Sequence, residues 1–300
     1  MRPLSSARLP RRALHILLAC LLAGSGTALA ARPAGHAPAT AAQREAAWQQ
    51  HQAMRADSPF AGVHWRSIGP TKQGGRVVAI AGVPRQPYTF YVAYASGGVW
   101  KTTDNGAHFT PLFDRMPTMV IGAIAVDPSH PQTLWVGTGE ANSSRSSYGG
   151  LGVFRSDDGG KTFKPAGLPD SDRIARIVVD PKDSDTVYVA ALGKLYSTGG
   201  QRGVYRTRDG GKTWQQVLAG STPWTGAIDL TMDPRNPDVL YAALWDRKRT
   251  AWNMTYSGKG SGIWKSTDGG DHWTQLSDGF PNDDKVGRIG LAIAPSQPDT

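Results

Sequence analysis

One short motif recurs four times along the chain, and recurrence at a near-fixed period restricts the fold more tightly than composition does. It runs Thr102-x-Asp104-x-Gly106-x-His108-Phe109, then Ser156-x-Asp158-x-Gly160-x-Thr162-Phe163. It returns as Thr207-x-Asp209-x-Gly211-x-Thr213-Trp214 and as Ser266-x-Asp268-x-Gly270-x-His272-Trp273. The aspartates stand 54, 51 and 59 residues apart. A second repeat lies between them, an apolar run that ends in proline: AIAGVP (79–84), AIAVDP (123–128), RIVVDP (176–181), DLTMDP (229–234) and GLAIAP (290–295). Alternating apolar residues with Val and Ile enrichment mark these runs as strands. Each of the first four is followed by another strand: FYVAY (90–94), TLWVG (133–137), TVYVA (186–190) and VLYAA (239–243). A third strand enters each Asp motif (GVWKT, GVFRS, GVYRT, GIWKS) and a fourth leaves it (HFTPL, TFKPA, TWQQV, HWTQL).

A unit of four antiparallel strands repeated every 45–60 residues is the blade of a β-propeller. The fold class is therefore all-β, with blades over about 74–113, 119–166, 172–219 and 225–277 and a fifth beginning near Val286. Trp65-Arg66-Ser67-Ile68-Gly69-Pro70 matches a fourth strand, with Trp65 at the aromatic position. Such an orphan outer strand would complete the last blade of a closed ring. The sequence stops at Thr300, just after the first strand of blade five, so it reads as a truncated or incomplete ring. The propeller then occupies 59–300.

The segment ahead of the repeats has a different character. Arg2, Arg8, Arg11 and Arg12 precede an apolar stretch from Ala13 to Gly24, and Ala28-Leu29-Ala30 is a small-x-small site. Residues 1–30 are expected to be a signal peptide, directing the chain to the periplasm, cell surface or medium of a bacterium. The mature chain would then carry no transmembrane span. Cleavage removes four arginines and no acid, lowering the net charge from +9 to +5, and takes away Cys20, the only cysteine. A lipid on Cys20 is the less favoured alternative, because Leu18 fits poorly and the apolar run continues past it. Residues 31–58 are expected to be a leader, Ala/Pro-rich at first, with a short helix over Gln43–Arg55 that Ser58-Pro59 ends. The remaining Lys and Arg are interspersed with acids rather than gathered into a stripe, which argues against nucleic-acid binding. Without cysteines there is no disulfide framework or thiolate metal site. No HExxH or Walker sequence occurs either, so neither a metal nor a cofactor is expected.

The Asp motif has a physical role as a turn former between the third and fourth strands. A carboxylate can accept from several turn N–H groups. Glycine supplies positive φ, the Ser/Thr hydroxyl bonds locally, and the aromatic residue is expected to pack between blades. Asp104, Asp158, Asp209 and Asp268 are therefore read as structural, since a catalytic residue is needed once and these recur.

This S/T-x-D-x-G-x-T-W pattern resembles the Asp-box, or bacterial neuraminidase (BNR) repeat, of sialidases, xyloglucan-cleaving hydrolases and the propellers of sortilin-type (VPS10) receptors. The wider text, WRSIGP, ASGGVWKTTDNG, AIAVDPSHPQTLWVGTGE and GVFRSDDGGKTF, is similar to that of large secreted bacterial sortilin-like "glycosyl hydrolase" repeat proteins. The resemblance covers residues 60–300 and implies the propeller fold, a scaffold that carries unrelated activities. Sialidases of this type carry an Arg-Ile-Pro motif, and the nearest text here is Gly75-Arg76-Val77. Xyloglucan-cleaving relatives carry an Asp two residues before a Gly-Gly, where this chain has Ala95 ahead of Gly97-Gly98.

Strand alternation sorts the connections onto two faces. The Pro turns and Asp motifs share one; the second-to-third-strand loops and the inter-blade links share the other, where function is expected. Its loops are short in blade one (Ala95–Gly98), long in blades two and three (Gly139–Gly152 and Gly193–Gly203) and longest in blade four (Trp245–Gly262). Aromatics interleaved with arginine suit contact with a peptide, protein or glycan. The ligand-binding candidates are Arg145, Tyr148, Arg176, Trp245, Asp246, Arg249, Trp252 and Tyr256. Arg176 and Asp229 hold equivalent positions on neighbouring inner strands and are expected to pair. A glycosidase needs two carboxylates flanking the bond, and the candidates are Glu140 and Asp229. The leading expectation is a binding module; a glycoside hydrolase and a structural spacer are the alternatives.

Overall fold

The computed structural model describes residues 39–63, 75–143, 147–281 and 283–298. The signal segment 1–30, the start of the leader, the 65–70 strand and Arg145 lie outside the described residues. Helix α1 (Ala41–Ala56) starts two residues before the expected stretch. Thr40 explains why: its Oγ1 accepts from the Gln43 amide at 3.2 Å while Gln43 Oε1 accepts from the Thr40 amide at 2.8 Å, a reciprocal capping box. None of its residues is buried.

Four four-stranded antiparallel sheets follow, each meandering in chain order. The first comprises β1 (Val77–Val83), β2 (Gln86–Tyr94), β3 (Gly98–Thr102) and β4 (Thr110–Pro111). The second comprises β5 (Ile121–Val126), β6 (Leu134–Thr138), β7 (Val153–Ser156) and β8 (Lys164–Pro165). The third comprises β9 (Ile174–Val179), β10 (Val187–Ala191), β11 (Gly203–Thr207) and β12 (Gln215–Leu218). The fourth comprises β13 (Thr225–Met232), β14 (Leu240–Asp246), β17 (Gly262–Ser266) and β18 (Thr274–Leu276). A small hairpin, β15 (Lys248–Arg249) with β16 (Met254–Thr255), interrupts the last. The expected first strand of a fifth blade, 290–295, has no ladder partner among the described residues. Ile289 and Leu291 nonetheless pack against a core cluster that contains Ile228 and Ala243.

The first strands of successive sheets lie side by side, β1 by β5, β5 by β9 and β9 by β13. Close approach there requires glycine. A Cβ on Gly122 would collide with the carbonyls of Ile174 in the next blade and of Gly139. Each first strand also carries a register shift at the same place, before Ala79, Ala123, Arg176 and Asp229. Such a bulge adds local twist and re-aims the side chains beside it. The core sits between blades. Trp135 and Trp214 meet edge-on across blades two and three at 6.4 Å, and Phe113 meets Phe163 across blades one and two at 4.9 Å.

The four Asp motifs fold identically. In each, the Ser/Thr hydroxyl donates to Asp Oδ1 at 2.7–2.8 Å and accepts from the Gly amide four residues on. Asp Oδ1 also accepts the amide of the residue four further on at 2.9 Å, and Oδ2 meets that residue's side chain at 2.6–2.7 Å. These bonds hold all four carboxyls below the ordinary value, with Asp104 and Asp209 at about 2. The turn bonds to the Pro turn of its own blade: Asn105, Gly159, Gly210 and Gly269 amides donate to the carbonyls of Tyr88, Gln132, Asp185 and Asp238. Both connections therefore lie on one face.

The carbonyl of that same residue then accepts from the preceding blade in three of the four turns. Gly159 O accepts from Tyr91 Oη and Lys101 Nζ, Gly210 O from Arg155 Nη1, and Gly269 O from Tyr188 Oη and Arg206 Nη1. The bases lie over aromatic neighbours, Lys101 over Tyr91 and Arg155 over Trp135. Lys265 lies over Tyr241 in the same manner in blade four.

Candidate functional site

The long loops lie on the opposite face, and a cavity of about 100 Å³ between the inner strands is lined in part by Asn142, Arg176, Asp229 and Arg288. The bulges bring Arg176 and Asp229 together, with Arg176 Nε donating to Asp229 Oδ1 at 2.7 Å. The same Oδ1 accepts the Leu230 amide, and Oδ2 accepts the Leu291 amide at 3.0 Å. Asp229 thus ties blades three and four to the segment that follows.

Glu140 is fully buried at the start of the blade-two loop. Arg76 grips it with two bonds, Nε to Oε1 at 2.9 Å and Nη2 to Oε2 at 2.7 Å, and the carboxylate holds the Arg76 guanidinium above its ordinary value. Asn142 Nδ2 donates to Oε1, while Asn142 Oδ1 accepts from Arg288 Nη1. Sequence reasoning missed Arg76 as the partner of Glu140, because nothing local joins positions 64 residues apart.

The other candidates divide by depth. Trp245 was expected to face a ligand from a loop. Instead β14 continues through it, its ring is buried with Leu192, Ile228 and Ala243, and its Nε1 donates to the Tyr256 carbonyl. Asp246 accepts from Thr222 and the Gly260 amide, which closes the base of the loop. Arg249 is half-buried, lies over the Tyr196 ring and donates to the Ser143 carbonyl. Trp252 at the hairpin tip is 87% exposed, and Tyr148, Tyr196 and Tyr256 are exposed as well.

A group of buried arginines underlies these loops, and a sequence reading that treats arginine as a surface residue passes over it. Arg202 is satisfied by the carbonyls of Gly199, Leu192, Trp224, Lys194 and Ser197. Arg173 pairs with Asp172 and donates to the Ser147 carbonyl, and its Nε has no acceptor among the described residues. Arg247, 1% exposed, lies over the Trp245 ring and donates to the Gly193 carbonyl through Nη2, and its Nε and Nη1 have no acceptor among the described residues. Burial, with the like charges of Arg173, Arg202 and Arg249, pulls Arg247 down to about 9. Burial pulls Arg173 and Arg202 down to about 10. Among the described residues no three His, Cys, Asp or Glu gather in a way that could hold a metal ion. No described helix is long and apolar enough to cross a membrane.

Comparison with known proteins agrees with this architecture. The family model Sortilin-Vps10 (sortilin, neurotensin receptor 3) matches residues 152–283, from the end of the blade-two loop to past blade four. A xyloglucanase of Paenibacillus sp is 26% identical over 248 residues, covering 74% of this chain and 23% of its own. A probable oligoxyloglucan-reducing end-specific xyloglucanase of Neosartorya fischeri is 25% identical over 266 residues, covering 74% and 30%. The chain therefore spans about a quarter of the length of these relatives. The crystal structure of an ancestral GH74 enzyme superposes with a TM-score of 0.55 at 20% identity, over 74% of this chain and 28% of that one. Four matching Asp turns in four meandering sheets give the chain a β-propeller fold, and the Sortilin-Vps10 family model matches it from the outer strands of blade two to past blade four.

Proposed function

We propose that this chain is an exported binding module that engages a peptide, protein or glycan through its loop-rich face and breaks no bond. One observation carries the reading: both candidate acids are already fully engaged. Glu140 is closed in by Arg76 and Asn142, and Asp229 by Arg176 and two backbone amides. A glycosidase needs one carboxyl free to deliver a proton and a second facing the sugar. The same face offers the exposed rings of Tyr148, Tyr196, Trp252 and Tyr256 instead. Export rests on the basic and apolar segment ahead of Ala30.

The test incubates the protein with xyloglucan and with immobilised peptide and glycan arrays, measuring retention and newly formed reducing ends together. Saturable retention without new reducing ends is expected. Trp252→Ala should weaken retention roughly tenfold, about 1.4 kcal/mol, with thermal stability unchanged. Release of reducing ends that Asp229→Asn or Glu140→Gln abolishes would overturn the reading. It would favour a second one, a glycoside hydrolase, which draws its support from the xyloglucanase relatives.

A further inference from the structure

We propose that Asn105-Gly106 is a site of spontaneous covalent modification, at which Asn105 becomes aspartate and isoaspartate at a rate set by the Thr102 hydroxyl. The chain holds a single Asn-Gly pair, and it stands at the tip of the blade-one Asp turn. The matching positions of the other turns are Gly159-Gly160, Gly210-Gly211 and Gly269-Gly270. The first position of every pair has positive φ, 59° at Asn105 and 67–71° at the three glycines. Asparagine is among the few residues with a side chain that tolerate this region. Blade one therefore meets the same backbone demand as its neighbours with a residue that can react.

The reaction needs no cofactor. The Gly106 amide nitrogen gives up its proton and attacks Asn105 Cγ. The new N–Cγ bond closes a succinimide ring, and the side-chain nitrogen leaves as ammonia. Water then opens the ring at one of its two carbonyls. One opening gives aspartate; the other gives isoaspartate, with the main chain rerouted through Cγ. The net change is loss of ammonia and gain of water. Glycine in the second position offers no Cβ to obstruct the attack.

The turn itself holds this chemistry back. The Gly106 N–H donates to Thr102 Oγ1 at 2.8 Å, which ties down the attacking nitrogen. Thr102 is 1% exposed, and its hydroxyl in turn donates to Asp104 Oδ1 at 2.8 Å. The Asn105 amide is held on the Tyr88 carbonyl at 3.0 Å. Asn105 is exposed, so water reaches it. The other three turns are braced at this position by a base or tyrosine of the preceding blade. No such brace reaches the Asn105 carbonyl among the described residues, so the reactive pair occupies the turn that opens most easily. Isoaspartate there would lengthen the main chain by one carbon, add a carboxylate beside Asp104 and disturb the bond to the Pro turn.

The experiment ages the full chain at neutral and at mildly alkaline pH and maps its peptides by mass. A protease that cuts before aspartate but not before isoaspartate separates the two products. Asn105 is expected to convert faster than Asn142 and Asn253, which precede serine and methionine. Both products should form, and faster at the higher pH, because the attacking nitrogen must lose its proton. Thr102→Val removes the hydroxyl at nearly constant shape and should speed conversion about fivefold, the effect of one net hydrogen bond on the open population. Thr102→Ser keeps the hydroxyl and should age as the parent does. The parent unfolded in urea serves where Thr102→Val fails to fold, and should convert faster than the native chain. The proposal is overturned if Asn105 converts no faster than Asn142 and Asn253, or if aspartate forms without isoaspartate. It is overturned equally if neither Thr102→Val nor unfolding changes the rate.

Discussion

Each Asp-motif carboxylate gathers two hydroxyl or ring donors and a backbone amide around one side chain. That makes the turns acid-sensitive in a defined direction. Asp209 sits at about 2 against an ordinary 3.8, lowered first by the Thr213 hydroxyl and then by its amide. A lowered carboxyl contributes stability that is present above its unfolded value and lost as pH falls through its folded one. The window for Asp104 and Asp209 is therefore about pH 4 down to about pH 2, while Asp158 and Asp268, held lower still, keep their contribution further into acid. Melting curves across that range should show the parent losing thermal stability steeply, and Asp209→Asn should start lower and flatten the profile. An unchanged profile in that variant would mean the bond network contributes nothing. A second residue-scale expectation concerns Trp135, fully buried and edge-on to Trp214. Trp135→Ala should cost about 3–5 kcal/mol in urea unfolding. The turn chemistry was legible in the sequence because donors and acceptor lie within six residues. The Arg76–Glu140 clamp was not, since its partners meet only after the first two blades pack.

At the scale of the element, glycine at the inner strands sets how closely blades approach. Gly122→Ala drives a Cβ into the Ile174 carbonyl and should destabilise by roughly 1–3 kcal/mol. Gly82→Ala, in the first strand of blade one with nothing within 4 Å, should be close to neutral. Denaturation midpoints of the two variants decide the point. Equal midpoints would show that the inner strands have room to separate. Strand order, the two faces and the Arg176–Asp229 pairing could all be read from the period-two pattern and the Pro turns. The interruption of the fourth blade could not. Residues 245–262 carry aromatics and arginines without strand alternation, so they read as one loop. In the structure Trp245 extends β14 and the chain then doubles back as β15–β16.

Across the whole molecule, blades are joined in series by the bond from one blade's third strand to the next blade's Asp turn. Arg206 is nearly buried, donates to Gly269 O and meets Asp271 at 2.7 Å. Arg206→Met should loosen blade four while leaving blade one alone. Hydrogen exchange is the measurement: the amides of 266–272 should exchange faster, and those of 102–108 should not change. Uniform acceleration everywhere would show that the blades open together. The latch has a consequence for how such a chain can lengthen. Its acceptor is a main-chain oxygen in the turn, and its donor is a base carried in the same relative place on each of blades two and three. A duplicated gene segment one blade long would bring its own donor and acceptor, and could be spliced in at a blade boundary without a compensating change in either neighbour.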